Sequence, residues 1–176
     1  FERPNRLKGV VRHGAGVDMI PVESATRLGI PVANVPGVNA QSVAEHVVTT
    51  MLMLARATHR MDALMRTRGW DTARSIADTG IELAGKTVGI VGVGAIGARV
   101  MKICHNGFGM RILGFQRNLA KLPREVSGVS LERLFAESDF IVLSCPLSEQ
   151  TRDLAGRARI ATMKPGAVLV NVSRGP

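Results

Sequence analysis

Residues 87–97 read Thr87-Val88-Gly89-Ile90-Val91-Gly92-Val93-Gly94-Ala95-Ile96-Gly97, and this stretch decides the fold. Its first five residues are the apolar, largely β-branched run of a buried strand. The G-x-G-x-x-G that follows leads straight into a helix-like segment over 96–105. In that setting each glycine has a steric reason: Gly92 permits the tight turn, Gly94 lets the backbone approach a pyrophosphate with no Cβ in the way, and Gly97 lets helix and strand pack closely. Free N–H groups at the helix N-terminus, around Ala95 and Ile96, offer the phosphates donors and the positive end of a dipole. The motif alone is weak, but between a strand and a helix it predicts a dinucleotide-binding turn.

Working outward, the same alternation continues. Strands are expected at Arg111–Phe115, Phe140–Leu143 and 167–172, with helices at Leu131–Glu137 and 156–162. Apolar strands separated by helices mean a parallel sheet covered on both faces, an α/β fold of the Rossmann-type, doubly wound kind. Upstream, 67–82 is a polar stretch with no expected element. Before it, Val43, Val47, Met51, Leu54, Ala55, Thr58 and Met61 recur at three and four, so one helix is expected over 41–68, spanning roughly 40 Å. That length suits a connector between domains and a subunit contact, while its Met and Leu stripe equally suits plain core. Further back, strand-like 9–11, helix-like 22–28 and strand-like 30–35 form a separate strand–helix–strand unit. The expected boundary divides 1–39, a remnant of a second domain, from 40–176, the dinucleotide-binding domain.

Composition narrows the function classes. A hydrophobic content of 45% over 176 residues suits a globular chain. The most apolar helical segment, 43–57, is interrupted by Glu45, His46 and Arg56, so no transmembrane segment is expected. The 2 cysteines, Cys104 and Cys145, have neither C-x-x-C spacing nor clustered histidines, which argues against a disulfide framework or a metal site and for a cytoplasmic protein. The net charge of +9 is scattered, and aromatics make up 3%, so base stacking and nucleic-acid binding are not expected. A small anionic ligand fits the charge better than nucleic acid or membrane. Both chain ends, Phe1 and Pro176, read as cuts.

The fingerprint normally ends in an acidic residue about 20 positions past the glycines, where it binds the adenosine ribose. Here the second strand runs into Gln116-Arg117-Asn118. Gln116 can hydrogen-bond a 2′-hydroxyl without repelling a 2′-phosphate, and Arg117 can pair with that phosphate. The expected cofactor is NAD or NADP, with NADP slightly favoured.

Several collinear segments together resemble the D-isomer-specific 2-hydroxyacid dehydrogenase family: Arg12-His13-Gly14-Ala15-Gly16-Val17-Asp18, Asn39-Ala40-Gln41-Ser42-Val43-Ala44-Glu45-His46, Gly85-Lys86-Thr87-Val88-Gly89-Ile90-Val91-Gly92, Cys145-Pro146-Leu147 with Thr151, and Asn171-Val172-Ser173-Arg174-Gly175. The resemblance implies that residues 1–39 are a remnant of a flavodoxin-like substrate domain. It further implies that Arg174 is the active-site arginine, clamping the substrate carboxylate and carbonyl. Backbone N–H groups of Gly14, Ala15 and Gly16 would receive the carboxylate, with Asn39 bordering the cleft, and Cys145, Pro146, Val172 and Ser173 would contact cofactor. Ser144 departs from the histidine common at its position, which leaves that loop's cofactor contacts open.

The implied reaction interconverts a D-2-hydroxy acid and its 2-keto acid by hydride transfer, in a full-length homodimer. The family's acid/base histidine and its glutamate lie downstream of Arg174, so the chain as given is expected to bind cofactor without turnover. A dinucleotide-sensing, co-repressor-like binding protein is the alternative, and a fragment unable to fold is a third. Phosphoglycerate, glyoxylate, hydroxypyruvate, lactate and formate enzymes share these segments, so the substrate stays open.

Overall fold

The computed structural model describes residues 6–175, and the two chain ends read as cuts, Phe1 and Pro176, lie outside that range. The chain divides into two compact units after Gln41. In the first, β1 (Val10–Arg12) and β2 (Val32–Asn34) pair in parallel, with α1 (Val22–Arg27) between them in sequence. Ala25 and Ile30 are buried, and Ile30 N–H donates to Ala25 O at 2.9 Å, turning the chain from α1 toward β2.

The second unit is entered along α2 (Ala40–Ala55), followed by α3 (Thr58–Arg68) and α4 (Trp70–Ala77). Then β3 (Thr87–Val91), α5 (Ala95–Lys102), β4 (Arg111–Phe115), β5 (Val126–Gly128), α6 (Leu131–Glu137), β6 (Phe140–Leu143), α7 (Arg157–Ile160) and β7 (Val168–Asn171) build one sheet and its covering. All pairings are parallel, in the order β5-β4-β3-β6-β7. This is the Rossmann-type, doubly wound arrangement, and the strand order reverses between β3 and β6.

Strand side chains alternate between faces, and two apolar layers follow from that. Val88 and Ile90 of β3, Ile112 of β4, Phe140 and Val142 of β6 pack with Ala44, Val47, Val48 and Met51 of α2 and Val100 and Met101 of α5. Val91, Leu113, Ile141 and Leu143 face the other way, onto Leu134 and Phe135 of α6. All five residues of β3 are buried, as a central strand covered twice must be. The start of α6 is fixed by Ser130, which caps it, its Oγ accepting from Arg133 N at 3.3 Å.

The single helix expected over 41–68 is instead two. Ala57 takes the left-handed conformation (φ 51°), and Ala55 O, released from the helix ladder, accepts Ile81 N–H at 2.8 Å. The cause is burial: the stripe Ala44, Val47, Val48, Met51 and Ala55 is inside, whereas α3 buries nothing fully. With no core to follow, the first helix ends there and a second begins at Thr58. The polar stretch 67–82, expected to lack structure, contains α4, which lies against α3 and buries Ala73. Edge strand β5 was not expected either; it has three residues, one of them buried, too little apolar pattern to register. Among the described residues no helix is long and apolar enough to cross a membrane.

Candidate functional site

The parallel sheet delivers four loops to one edge, the C-terminal ends of its strands, where open α/β sheets take ligands. The loop after β3 is the glycine turn. Gly92 has φ +91°, a conformation that resists any side chain, and a Cβ there would also lie 2.8 Å from Cys145 N. A Cβ on Gly97 would overlap Gly92 O and come within 3.0 Å of Ile90, so glycine is what allows α5 to lie against β3. A Cβ on Gly94 would meet no atom within 4 Å. The space above Gly94 is therefore open, and it faces the first turn of α5, which carries no acidic residue. Ala95 and Ile96 sit in that turn, where main-chain N–H groups lack helical partners. A cradle with this open floor, free donors and no repelling carboxylate fits a pyrophosphate.

The loop after β6 closes on the turn from the neighbouring strand. Ser144 Oγ donates to Gly92 O at 2.7 Å, which fastens the two loops across the point where strand order reverses. Cys145 and Pro146 follow directly and face a cleft of about 480 Å³, counting the space open to solvent. The loop after β7 forms the cleft's other wall. Val172 N–H extends the sheet to Leu143 O at 3.0 Å, and Ser173 Oγ donates to Cys145 O at 2.6 Å. Arg174 stands next, exposed, with Nη1 donating to Ser173 O at 2.8 Å. The structure thus brings Cys145, Pro146, Ser173 and Arg174 to one cleft, with Val172 anchoring its wall.

The loop after β4 carries the other two expected cofactor residues. Gln116 is half-buried, and its Nε2 donates to Asn118 O at 2.9 Å, which leaves its amide oxygen as the acceptor on offer. Arg117 is exposed beside it. Gly14, Ala15, Gly16 and Asn39 belong to the first unit. Gly14 is buried with φ +129°, Ala15 is exposed and Gly16 half-buried. Asn39 is exposed in the turn that precedes α2.

Three polar residues of the cleft lining escaped sequence reasoning as site members: Thr151, Asn171 and Asp153. Thr151 Oγ1 donates to Pro146 O at 2.7 Å and accepts Ser148 N–H at 2.8 Å, closing the loop below the cleft. Asn171 bridges its own loop, accepting Ser173 N–H at 2.9 Å and donating to Arg174 O at 2.7 Å. Asp153 lines the cleft in a left-handed conformation, φ 50°. Thr151 and Asn171 lay within quoted motifs, whereas nothing in the local sequence marks Asp153. Of the cysteines, Cys104 is core: burial pushes its thiol up to about 12.

Comparison with known proteins gives the family and the fold. Residues 48–176 match the family model described as D-isomer specific 2-hydroxyacid dehydrogenase, NAD binding domain. D-3-phosphoglycerate dehydrogenase of Methanocaldococcus jannaschii is 42% identical over 179 residues, covering 99% of this chain and 33% of that protein. Hydroxypyruvate reductase of Thermotoga maritima is 41% identical over 175 residues, covering 99% of this chain and 56% of its own. The apo-structure of D-lactate dehydrogenase from Escherichia coli superimposes with a TM-score of 0.80 at 37% identity, covering 96% of this chain and 52% of that one. The chain thus spans between a third and somewhat over half the length of these relatives.

Proposed function

The chain belongs to the D-isomer specific 2-hydroxyacid dehydrogenase family, and from that premise we propose that it is the dinucleotide-binding part of an oxidoreductase interconverting a D-2-hydroxy acid and its 2-keto acid. The observation that carries the reading is the placement of Arg174 beside the Cys145–Ser173 contact, on the same sheet edge as the open glycine turn. When bound, a nicotinamide dinucleotide supplies the hydride that reaches the carbonyl carbon. The turn at 92–97 and the first turn of α5 hold its phosphates, with Cys145, Pro146, Val172 and Ser173 alongside. The Arg174 guanidinium exchanges its bond to Ser173 O for the substrate, pairing with the carboxylate and stabilising charge that grows on the carbonyl oxygen. That oxygen then takes up a proton, which we propose comes from a histidine held by a glutamate; among the described residues the cleft lining includes neither. In the first unit, which we take as part of a flavodoxin-like substrate domain, we propose the backbone N–H groups of loop 14–16 as carboxylate donors, with Asn39 at the border of the substrate-binding segment.

We propose NAD or NADP as the cofactor, with NADP slightly favoured, supported by Gln116 in place of a carboxylate and by the exposed Arg117 next to it. We further propose that the whole protein is a cytoplasmic homodimer acting on a small anionic acid. Exposed Leu54, Met65 and Trp70 on the helices before the sheet support a subunit contact there.

In the protein encoded by the complete gene, glyoxylate and hydroxypyruvate should be reduced with loss of NADPH absorbance. Arg174→Ala should lower kcat/KM by roughly 10²–10³-fold while leaving the cofactor Kd unchanged. Unchanged kcat/KM in that variant would remove Arg174 from the mechanism.

A further inference from the structure

We infer that Asn34 is a positioning residue that aims the backbone amides of loop 14–16 at an anion, an inference that rests on the functional reading above. Two carbonyls of that loop are held from the end of β2. Gly14 O accepts Val35 N–H at 3.1 Å, and Ala15 O accepts Asn34 Nδ2 at 2.7 Å. The described peptides are all trans, and in a trans peptide the N–H points opposite to the carbonyl. Ala15 N–H therefore faces away from the Gly14 carbonyl, and Gly16 N–H away from the Ala15 carbonyl. With both carbonyls drawn toward β2, both amides face away from it. Among the described residues neither amide donates to any backbone acceptor. Two adjacent main-chain donors with one outlook make an anion site. Arg12, whose Nη1 donates to His13 O at 2.9 Å, adds positive charge to the same loop.

The two restraints are not equivalent. The Val35 bond is main chain to main chain and survives almost any substitution. The Asn34 bond depends on the side chain, and it acts on the peptide next to Gly16, where the backbone has the least intrinsic preference. Without it the Ala15–Gly16 peptide can rotate and turn a carbonyl oxygen, rather than an N–H, toward the carboxylate. Asn34 is itself exposed, so its bond adds little to stability and its effect is directional. It does not touch substrate; it acts through Gly16.

The test uses the protein encoded by the complete gene, with Asn34→Ala and Asn34→Asp. KM for glyoxylate, Ki for oxalate, Kd for NADPH and the melting temperature are measured for each. Loss of one amide bond to a carboxylate should raise KM and Ki together by about tenfold, with kcat and the NADPH Kd changed by less than about twofold. Asn34→Asp should be the worse of the two, since it cannot donate to Ala15 O and adds a negative charge. Unchanged KM and Ki, or equal losses in kcat, NADPH binding and melting temperature, overturn the inference. If the unaltered protein reduces no 2-keto acid, the functional reading fails, and Asn34 is then decided by the melting shift that oxalate produces: it must shrink in both variants.

Discussion

Replacing Gly97 and Gly94 by alanine, one at a time, separates the packing of the glycine turn from its ligand role. Gly97 lies inside α5, where alanine is intrinsically better than glycine by about 1 kcal/mol. Against this, its Cβ would overlap Gly92 O, lie 3.0 Å from Ile90 Cγ2 and 3.1 Å from Ser144 Oγ. Backbone cannot swing aside as a side chain does, so the overpacking cost sits near the upper end of its usual range, about 3 kcal/mol. Gly92 O also accepts the Ser144 hydroxyl at 2.7 Å, and shifting it weakens a bond worth about 1 kcal/mol. The net expectation is a destabilisation of about 2–3 kcal/mol, or a fall in melting temperature of roughly 5–10 °C for a chain of this size. Dinucleotide affinity falls as well, because α5 is pushed off β3. Gly94 differs. Its φ of −88° suits alanine, and the new Cβ would meet no atom within 4 Å. The loss of a glycine N-cap and the gain from a stiffer unfolded chain are each below about 1 kcal/mol and oppose one another, so the melting temperature should hardly move. The Cβ does enter the space above the turn, and NADPH binding should weaken about tenfold or more. Thermal melts with and without NADPH, together with nicotinamide fluorescence titrations, read both effects. A Gly94→Ala variant binding NADPH with unchanged Kd, or a Gly97→Ala variant as stable as the original, would refute the reasoning.

Arg117→Glu should weaken NADPH binding about tenfold and leave NADH binding nearly unchanged, measured by the same titration; equal losses for both would remove Arg117 from cofactor choice. Asp139 accepts Thr87 N–H at 2.8 Å and Lys164 Nζ at 2.9 Å. Partial burial works to raise its pKa, but the Thr87 bond and the Lys164 charge outweigh it and leave the carboxyl below its ordinary value. A carboxylate whose folded pKa is depressed stabilises fully above the unfolded pKa and loses that contribution as pH falls through the folded value. Asp139→Ala should therefore cost about 2 kcal/mol at neutral pH, with the difference from the original protein closing in acid, as urea melts across pH will show. Ser138→Ala should raise stability by about 1 kcal/mol, because the Ser138 hydroxyl is fully buried and has no hydrogen-bond partner among the described residues; a lower melting temperature would show that the hydroxyl contributes to stability after all.

Much of the fold was legible because its determinants are short-range. A β-branched apolar run buried on both faces and a turn that only glycine can make are read over a few residues, so β3, β4, β6 and the turn at 92–97 fall where expected, as does α6. The position of Arg174 and of the Cys145–Pro146 pair just past strands was also legible, and the structure sets them along one cleft. Partners distant in sequence were not. The break at Ala57 puts a non-glycine residue in a left-handed conformation that costs about 1 kcal/mol locally, and it persists because Ala55 ends the buried stripe and Ile81 supplies the missing donor. Helix α4 has one buried residue and leans on α3, and β5 has one buried residue and leans on β4. Neither pattern is strong enough to be read alone.

The same division runs through the site. The chemical types at each position, a glycine turn, an arginine after a strand and a glutamine where a carboxylate usually stands, are properties of the chain as written. Which of them meet was decided only by the sheet, whose parallel order sets β6 and β7 side by side and so brings Cys145 to Ser173 across 28 positions. Asn34 and Ala15, 19 positions apart, are joined in the same way by the pairing of β1 with β2. Periodicity and sterics act within a few residues and can be read off a string of letters; a hydrogen bond between distant loops exists only after packing has brought the strands together.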